Sequence, residues 1–279
     1  MVRRFAKLLV SLIYFGLVVA PCSLLRAVRP GRERRPIVLC YHGVRDDQRC
    51  EFAWHMNAAR QVGCLVALDG RMASGGGGEL IAITFDDGFA NELENALPLL
   101  EGHQVPATIF VSSERLGSAA DSSVRDEQTG RGERIMTADE LRGLNSGLFT
   151  VGSHGASHVK LGSLSDEEAL QELVESKRRL EGITGREVSL VAFPHGCYTE
   201  RTIELAQRAG YRRAFSLESR RARVDTGEFV SGRFWGELDG SRLVFWLTVR
   251  GAYAWLGLLQ RLRSRVAGGW GGKREGWMR

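Results

Sequence analysis

Short apolar runs alternate with segments of helical periodicity along most of the chain. Seven of these runs are brief, rich in branched or aromatic residues and bounded by polar or turn-forming residues, which is the pattern of buried strands. They lie at 37–41, 64–68, 80–85, 107–111, 148–153, 190–193 and 211–216. The sequence therefore predicts a sheet whose strands are separated by helical connections.

Helix starts are marked between several of the predicted strands. Thr137 with Glu140 and Ser165 with Glu168 both form a capping box, in which a hydroxyl and a carboxylate bind the first free N–H groups of a helix. In the second of these helices one apolar stripe is expected, formed by Leu170, Leu173, Val174 and Leu180. Residues 199–209 predict a further helix that ends at Gly210.

Alternating strands and helices favour an α/β fold with a parallel sheet. Polar clusters follow two of the apolar runs: Asp86 and Asp87 come directly after 80–85, and His154 and His158 come after 148–153. Because the carboxyl ends of parallel strands meet at one edge, and a barrel carries its catalytic residues there, we expect these side chains to converge.

Two imidazoles and one carboxylate are a common ligand set for a catalytic divalent cation. Successive residues point in different directions, so Asp87 can bind the cation while Asp86 serves as a base. An Asp-Gly turn or a pair of histidines four residues apart is more often structural, but their joint occurrence at strand ends favours a metal site. Zinc is the first expectation, and the donors also suit cobalt, manganese or iron.

The motifs at 84–88, at His154 with His158 and at 193–196 resemble the first three motifs of the polysaccharide deacetylases, the NodB-homology carbohydrate esterases. The resemblance extends from about residue 37 to about residue 233. The Tyr-His pair at Tyr41 and His42 resembles the subgroup of this family that acts on exported poly-N-acetylglucosamine.

The resemblance implies a distorted, incomplete (β/α) barrel and a reaction: hydrolysis of the acetamide of an N-acetylated sugar, in a polysaccharide or glycolipid, with release of acetate. It also implies roles, with Asp86 as the general base and Asp87, His154 and His158 as metal ligands. The third motif, Pro194, His195 and Gly196, is expected to bind or orient the substrate, with a backbone N–H near it supporting the oxyanion.

The leaving amine needs a general acid. Many family members supply a late histidine, but no histidine follows His195 in this chain. The resemblance to the poly-N-acetylglucosamine subgroup assigns the acid to His42. A histidine packed at a strand end is the structural alternative, and His195 is the competing candidate for the acid.

The chain departs from the family pattern in two further places. The third motif lacks the arginine that often holds the catalytic aspartate, and Arg233 is a candidate replacement, its alternative being a solvated charge at a strand end. Gly155 stands where the family usually has a serine or threonine that braces the loop. Cys40 is expected to pack as a small apolar residue.

We expect three parts: residues 1–35 as an N-terminal hydrophobic helix with a basic linker, 36–240 as the catalytic domain, and 241–279 as an apolar and basic C-terminal helix with a tail. The apolar segment 8–25 follows Arg3, Arg4 and Lys7 and is long enough for a signal anchor, with a cleaved signal peptide as the alternative. Arginines after the segment favour a cytoplasmic catalytic domain, whereas the family usually works on exported glycans, so an extracytoplasmic site is the first expectation.

Near the other end, 243–259 is mostly apolar and is followed by Arg261, Arg263 and Arg265. Such a helix suits the membrane interface, and a helix that covers the barrel is the alternative. The isoelectric point near 9.1 agrees with attraction to anionic lipid or acidic glycan. Nucleic acid is not an expected partner, because the basic residues gather at the hydrophobic ends and no recognition motif is present.

Two other functions compete with N-deacetylation. One is a catalytically silent relative that binds a glycan, and the other is an amidohydrolase that acts on a small amide. Retention of both aspartates and both histidines favours the enzyme, because a binding protein needs no base beside a metal.

Overall fold

A parallel β-sheet of nine strands forms the centre of the computed structural model, which describes residues 2–23, 35–68, 78–118, 132–222 and 228–266. The strands are β1 (Ile37–Tyr41), β2 (Gly63–Leu65), β3 (Glu79–Phe85), β4 (Ala107–Val111), β5 (Phe149–Ser153), β6 (Leu190–Ala192), β7 (Arg213–Phe215), β8 (Val230–Ser231) and β9 (Phe234–Trp235). Their order across the sheet is β8-β7-β6-β5-β4-β3-β1-β9, and β2 pairs with β3.

The sheet curls until its two edges meet. β8 pairs with β7 at one edge and β9 pairs with β1 at the other, yet only Gly232 and Arg233 separate β8 from β9 in sequence. Two residues span roughly 10 Å at most, so the edges lie close together. The fold is therefore an incomplete (β/α) barrel, as expected, and residues 232–233 connect its two edges, which do not pair with each other.

Helices surround the barrel and precede it. They are α1 (Val2–Tyr14), α2 (Arg49–Val62), α3 (Asn91–Asn95), α4 (Leu97–Gly102), α5 (Ala138–Arg142), α6 (Asp166–Thr184), α7 (Glu200–Arg208), α8 (Arg242–Thr248) and α9 (Ala254–Val266). The first continues through a π-helical stretch, Phe15–Val19, as far as Ser23. Both predicted capping boxes form at the starts of α5 and α6.

Alternation along the strands separates two apolar layers. In β3, Ile81 and Ile83 join the large core cluster between the sheet and the helices, whereas Leu80 and Ala82 belong to a second cluster that includes Phe110 and Phe215. Because successive side chains point to opposite faces of a strand, the second cluster fills the barrel interior. The interior is apolar towards the amino ends of the strands.

The predicted strands agree with the sheet to within a few residues, and those at 37–41 and 107–111 agree at both ends. β8 and β9 were not predicted, because two residues are too few for a periodic pattern. In α6 the expected stripe is wrong at Val174, whose side chain is 43% exposed.

The C-terminal segment differs from the expected single helix. It forms α8 and α9, with a turn around Gly251, whose φ is +76°. Phe245 and Val249 pack into the large core cluster, so α8 covers part of the barrel. Residues 24–34 and 267–279, which hold the predicted basic linker and tail, lie outside the described residues.

Gly232, at the point of closure, has no room for a side chain. A Cβ there would lie 2.2 Å from Arg220 Cγ and 2.3 Å from the Glu218 carbonyl oxygen. We expect Gly232→Ala to lower the free energy of unfolding by about 1–3 kcal/mol, because overpacking forces the backbone to shift. Thermal and urea unfolding measure this loss.

Gly182→Ala is the matched control, since nothing lies within 4 Å of its Cβ position, which is in α6. This change should leave stability unchanged or raise it by about 0.5–1 kcal/mol, as alanine favours a helix more than glycine. Equal effects of the two substitutions would contradict the closure argument.

Candidate metal centre and active site

The polar site residues continue the interior faces of their strands. His42 and Asp86 stand at an even spacing from interior residues of β1 and β3. His154 stands at an odd spacing from Phe149 and Val151 of β5, which face the outer core, so it too continues the interior face. Pro194 likewise stands two residues after Ala192, an interior residue of β6. Because alternation carries these positions into the barrel at its carboxyl edge, the interior changes from apolar to polar there.

Asp87 reaches the site in a different way. It directly follows Asp86, so in an extended backbone its side chain would point away from the interior. Its φ is +72°, in the left-handed region, and His158 and His195 also have positive φ values of +65° and +57°. Only one other non-glycine residue in the described ranges, Gln104, has a positive φ. Strained backbone that is concentrated at one place is typical of functional sites.

Asp87, His154 and His158 bring three ligand atoms together. Asp87 Oδ1 lies 3.1 Å from His158 Nε2 and 3.8 Å from His154 Nε2. One ligand atom from each residue lies within 4.8 Å of the other two, a spacing at which these groups could hold a metal ion. The two histidine rings are 4.9 Å apart.

His154 is prepared for ligation through its second nitrogen. Its Nδ1–H donates to the Ala192 carbonyl oxygen at 2.7 Å, which leaves the lone pair on Nε2, the atom that faces Asp87. Burial lowers the pKa of His154 to about 4, so the ring is neutral at physiological pH. A neutral imidazole, a second imidazole and a carboxylate fit a divalent cation such as zinc.

Asp86 is held by Arg233, a completely buried arginine. Arg233 Nη1 donates to Asp86 Oδ1 at 2.5 Å and Nη2 donates to Oδ2 at 2.7 Å. Burial alone would raise the pKa of Asp86, but the charge of Arg233 holds that pKa well below its usual range. Asp86 is therefore a carboxylate at every physiological pH, and its orientation is fixed.

Cys40 differs from the expected apolar packing residue. Its Sγ donates to Asp86 Oδ2 at 3.4 Å. Burial raises the pKa of the Cys40 thiol, so the thiol keeps the proton that it donates. Alternation could have indicated this contact, because Cys40 and His42 share the interior face of β1.

His42 faces the other carboxylate oxygen of Asp87 from the one that faces the histidine pair. Its Nε2 is 3.9 Å from Asp87 Oδ2, and its ring stacks on Trp235 with centroids 4.8 Å apart. The ring is buried, with a relative exposure of 5%. The sequence did not indicate Trp235, which reaches the site only because β9 pairs with β1.

The third motif forms a tight turn, Pro194–Gly196, after β6. The His195 ring lies 4.7 Å from the His158 ring, so the turn borders the proposed metal ligands. The N–H groups of Gly196 and Cys197 donate to carbonyl oxygens of Phe193 and Pro194. These two N–H groups therefore close the turn.

Glu172 of α6 braces the loop that carries both histidines. Its Oε2 accepts from the N–H groups of Ala156 and Ser157 at 2.9 and 3.0 Å, and its Oε1 accepts from Ser157 Oγ at 2.6 Å. Gly155 has a φ of +76°, a conformation that favours glycine over serine or threonine. From the sequence alone, Glu172 is only a polar position on a predicted helix.

Arg233→Met should lower the free energy of unfolding by about 3–5 kcal/mol, because Asp86 would remain buried without its partner charge. Arg212→Met is the matched control, since Arg212 and Glu187 form an exposed pair, 71% and 53% exposed. Its expected cost is below about 1 kcal/mol. Urea unfolding at pH 7 measures both, and similar costs would show that the buried pair contributes no more than a surface pair.

Comparison with known proteins supports the architecture. The structure of IcaB from Ammonifex degensii matches with a TM-score of 0.62 and 23% identity, over 80% of this chain and 98% of that one. BC0361, a polysaccharide deacetylase from Bacillus cereus, matches with a TM-score of 0.62 and 21% identity, over 78% of this chain and 69% of that one. At these identities the matches show a shared fold.

Sequence comparison places the chain more specifically. YxkH of Bacillus subtilis (strain 168) is 24% identical over 153 residues, which are 55% of this chain and 50% of that protein. The chain thus spans about half the length of the curated relatives it matches. The family model described as polysaccharide deacetylase matches residues 74–214, about half of the chain and the part that contains both aspartates and both histidines. The chain belongs to the polysaccharide deacetylase family.

Proposed function

We propose that this protein is a metal-dependent hydrolase that removes the acetyl group from an N-acetylated sugar in a polysaccharide, releasing acetate. The observation that carries the proposal is the convergence of Asp87, His154 and His158 beside the arginine-bound carboxylate of Asp86. A protein that only binds glycan does not need a carboxylate base beside a metal site. An amidohydrolase that acts on a small amide without a metal does not need the three metal ligands.

Asp87, His154 and His158 would hold the cation, with zinc as the first choice and cobalt, manganese or iron as alternatives. A bound divalent cation supplies Lewis acidity, which polarises the amide carbonyl and lowers the pKa of water. The protein supplies the geometry, because the hydrogen bond from His154 Nδ1 to Ala192 and the left-handed turn at Asp87 fix the two donors.

Asp86 is the proposed general base. Both of its oxygens accept hydrogen bonds from Arg233, so the carboxylate cannot rotate and stays ionised. Its Oδ2 lies 4.0 Å from His154 Nε2, at the edge of the proposed metal site. A carboxylate that arginine stabilises is a weak base, and it can accept a proton only from water that is already acidified.

His42 is the proposed general acid. The departing amine must gain a proton, and His42 Nε2 lies 3.9 Å from Asp87 Oδ2 on a ring that Trp235 holds in place. His195, which lies against the His158 ring, remains the competing candidate. Pro194, His195 and Gly196 would form the wall that orients the sugar.

We propose exported poly-N-acetylglucosamine as the substrate class, because Tyr41 and His42 match that subgroup. A glycolipid with the same sugar is the alternative. The N-terminal helix Arg4–Ser23 is long and apolar enough to cross a membrane, as a signal sequence also is. We propose that residues 1–35 anchor the chain, with the catalytic part, 36–240, on the extracytoplasmic side and 241–279 as an accessory segment.

Acetate release from N-acetylglucosamine oligomers tests the function. The purified full chain should release acetate, a chelator should abolish the release, and added zinc should restore it. Asp87→Ala should lose both the metal and turnover. Asp86→Asn should keep the metal and lose turnover by about 100-fold or more, because only the base is removed.

Bound metal is measured by mass spectrometry, and thermal unfolding checks that each variant is folded. Equal metal loss in Asp86→Asn and Asp87→Ala would contradict the assigned roles. A folded, metal-loaded wild-type chain that releases no acetate from any oligomer would exclude the deacetylase and favour a silent glycan-binding relative.

Glu172→Ala should weaken metal binding by about 10–100-fold, because the loop that positions both histidines loses three hydrogen bonds. Titration of the metal-free chain with zinc measures the dissociation constant. Glu175→Ala is the control, since Glu175 lies on the same helix and forms its ion pair with Arg178 of that helix. An unchanged constant in Glu172→Ala would show that the loop keeps its shape without the brace.

A further inference from the structure

Exposed large apolar side chains are concentrated at the two ends of the chain. Among the described residues, seven belong to α1 and its continuation and five to α8 and α9. Val174 of α6 is the one such side chain found elsewhere in these ranges. A soluble surface rarely gathers so many apolar side chains, and such a concentration indicates contact with a membrane or a partner.

The N-terminal helix, α1 with its continuation, exposes many apolar side chains to solvent although it packs against the rest of the protein. Phe5, Leu9, Ile13 and Leu17 recur every four residues and are 70%, 50%, 52% and 75% exposed. Ser11 and Val19, on the other side of the same helix, are buried. One stripe of the helix therefore contacts the protein, and the opposite stripe is left uncovered.

Hydrogen-bond and ring contacts join this helix to the C-terminal segment. Trp255 Nε1 of α9 donates to Ser11 Oγ at 2.9 Å, and the Phe15 ring packs edge-on against Trp246 of α8 at 5.1 Å. Ser11 is a polar residue inside the apolar segment, and burial without a partner would be costly. The hydrogen bond from Trp255 removes that cost and ties the two chain ends together.

The positive charge of the two chain ends indicates which partner covers this apolar surface. Residues 1–32 and 240–274 contain arginine and lysine but no aspartate or glutamate. Just after α8, Arg250 lies 3.7 Å above the Trp246 ring, and helices at the membrane interface combine arginine and tryptophan in this way on their polar and apolar faces. A second copy of the chain would bring cations against cations, whereas anionic lipid complements them.

We propose that α1, α8 and α9 form one lipid-facing surface that is immersed in an anionic bilayer. The N-terminal helix is then a permanent part of the folded protein, and α8 with α9 is a second membrane contact that holds the catalytic barrel against the bilayer. This inference concerns the chain ends and stands independently of the deacetylase reaction.

Fluorine NMR of the full chain, labelled with 5-fluorotryptophan, tests the proposal. The chain is placed in nanodiscs of phosphatidylcholine and phosphatidylglycerol with and without nitroxide lipid, and Trp→Phe variants assign the six tryptophan signals. The nitroxide should increase the relaxation rate of Trp246 several-fold more than that of Trp235, which stacks on His42 inside the site.

Charged substitutions on α9 provide a second reading. Leu258→Glu with Leu262→Glu changes two exposed side chains, 55% and 56% exposed, and should reduce the nitroxide effect on Trp246. Val174→Glu, at the exposed apolar residue outside this surface, should leave the effect unchanged.

Ser11→Ala should shift the Trp255 signal, whereas Ser11→Thr, which keeps the hydroxyl, should shift it less.

Equal nitroxide effects on Trp246 and Trp235 would overturn the proposal. A disc that contains two chains with Trp246 protected would assign the surface to a second copy instead of lipid. An unchanged Trp255 signal in Ser11→Ala would show that the two ends are not joined. These outcomes are independent of acetate release, so failure here does not bear on the proposed deacetylation reaction.

Discussion

The buried ion pair between Arg233 and Asp86 joins the closure of the barrel to its chemistry. Arg233 lies between β8 and β9, at the two edges of the sheet, and Asp86 follows strand β3, which lies two strands in from the β9 edge. A buried carboxylate and a buried guanidinium are each costly alone, so each requires the other. The chain therefore gains a fixed carboxylate at the site only when the barrel closes.

The same pair separates the roles of the two neighbouring aspartates. Arginine occupies both oxygens of Asp86, whereas Asp87 turns through a left-handed backbone towards His154 and His158. On the proposed mechanism, one carboxylate is kept as a base and the other is left to bind the cation. The left-handed backbone at Asp87 is the local cost of giving two adjacent aspartates different orientations. His158 and His195 carry the same kind of backbone strain beside it.

Around this centre, the supporting contacts come from elements distant in sequence. Trp235 fixes the His42 ring, Cys40 donates to Asp86, and Glu172 holds the histidine loop. At the chain ends, Ser11 and Trp255 make a comparable long-range contact that unites two apolar segments. In both places a buried polar side chain needs a hydrogen-bond partner, and that partner lies on an element distant in sequence. The need for the hydrogen bond therefore favours the packing of those two elements.

The sequence by itself determined the parallel α/β fold and most strand positions, because buried strands are read from local apolar runs. It also determined the interior position of His42, Asp86 and His154, since alternation continues beyond each strand end. Only the tertiary structure decided that Arg233 reaches Asp86, that Trp235 stacks on His42 and that the C-terminal segment breaks into two helices. These features depend on pairing between residues far apart in the chain, and a two-residue strand or a helix break leaves no periodic signal.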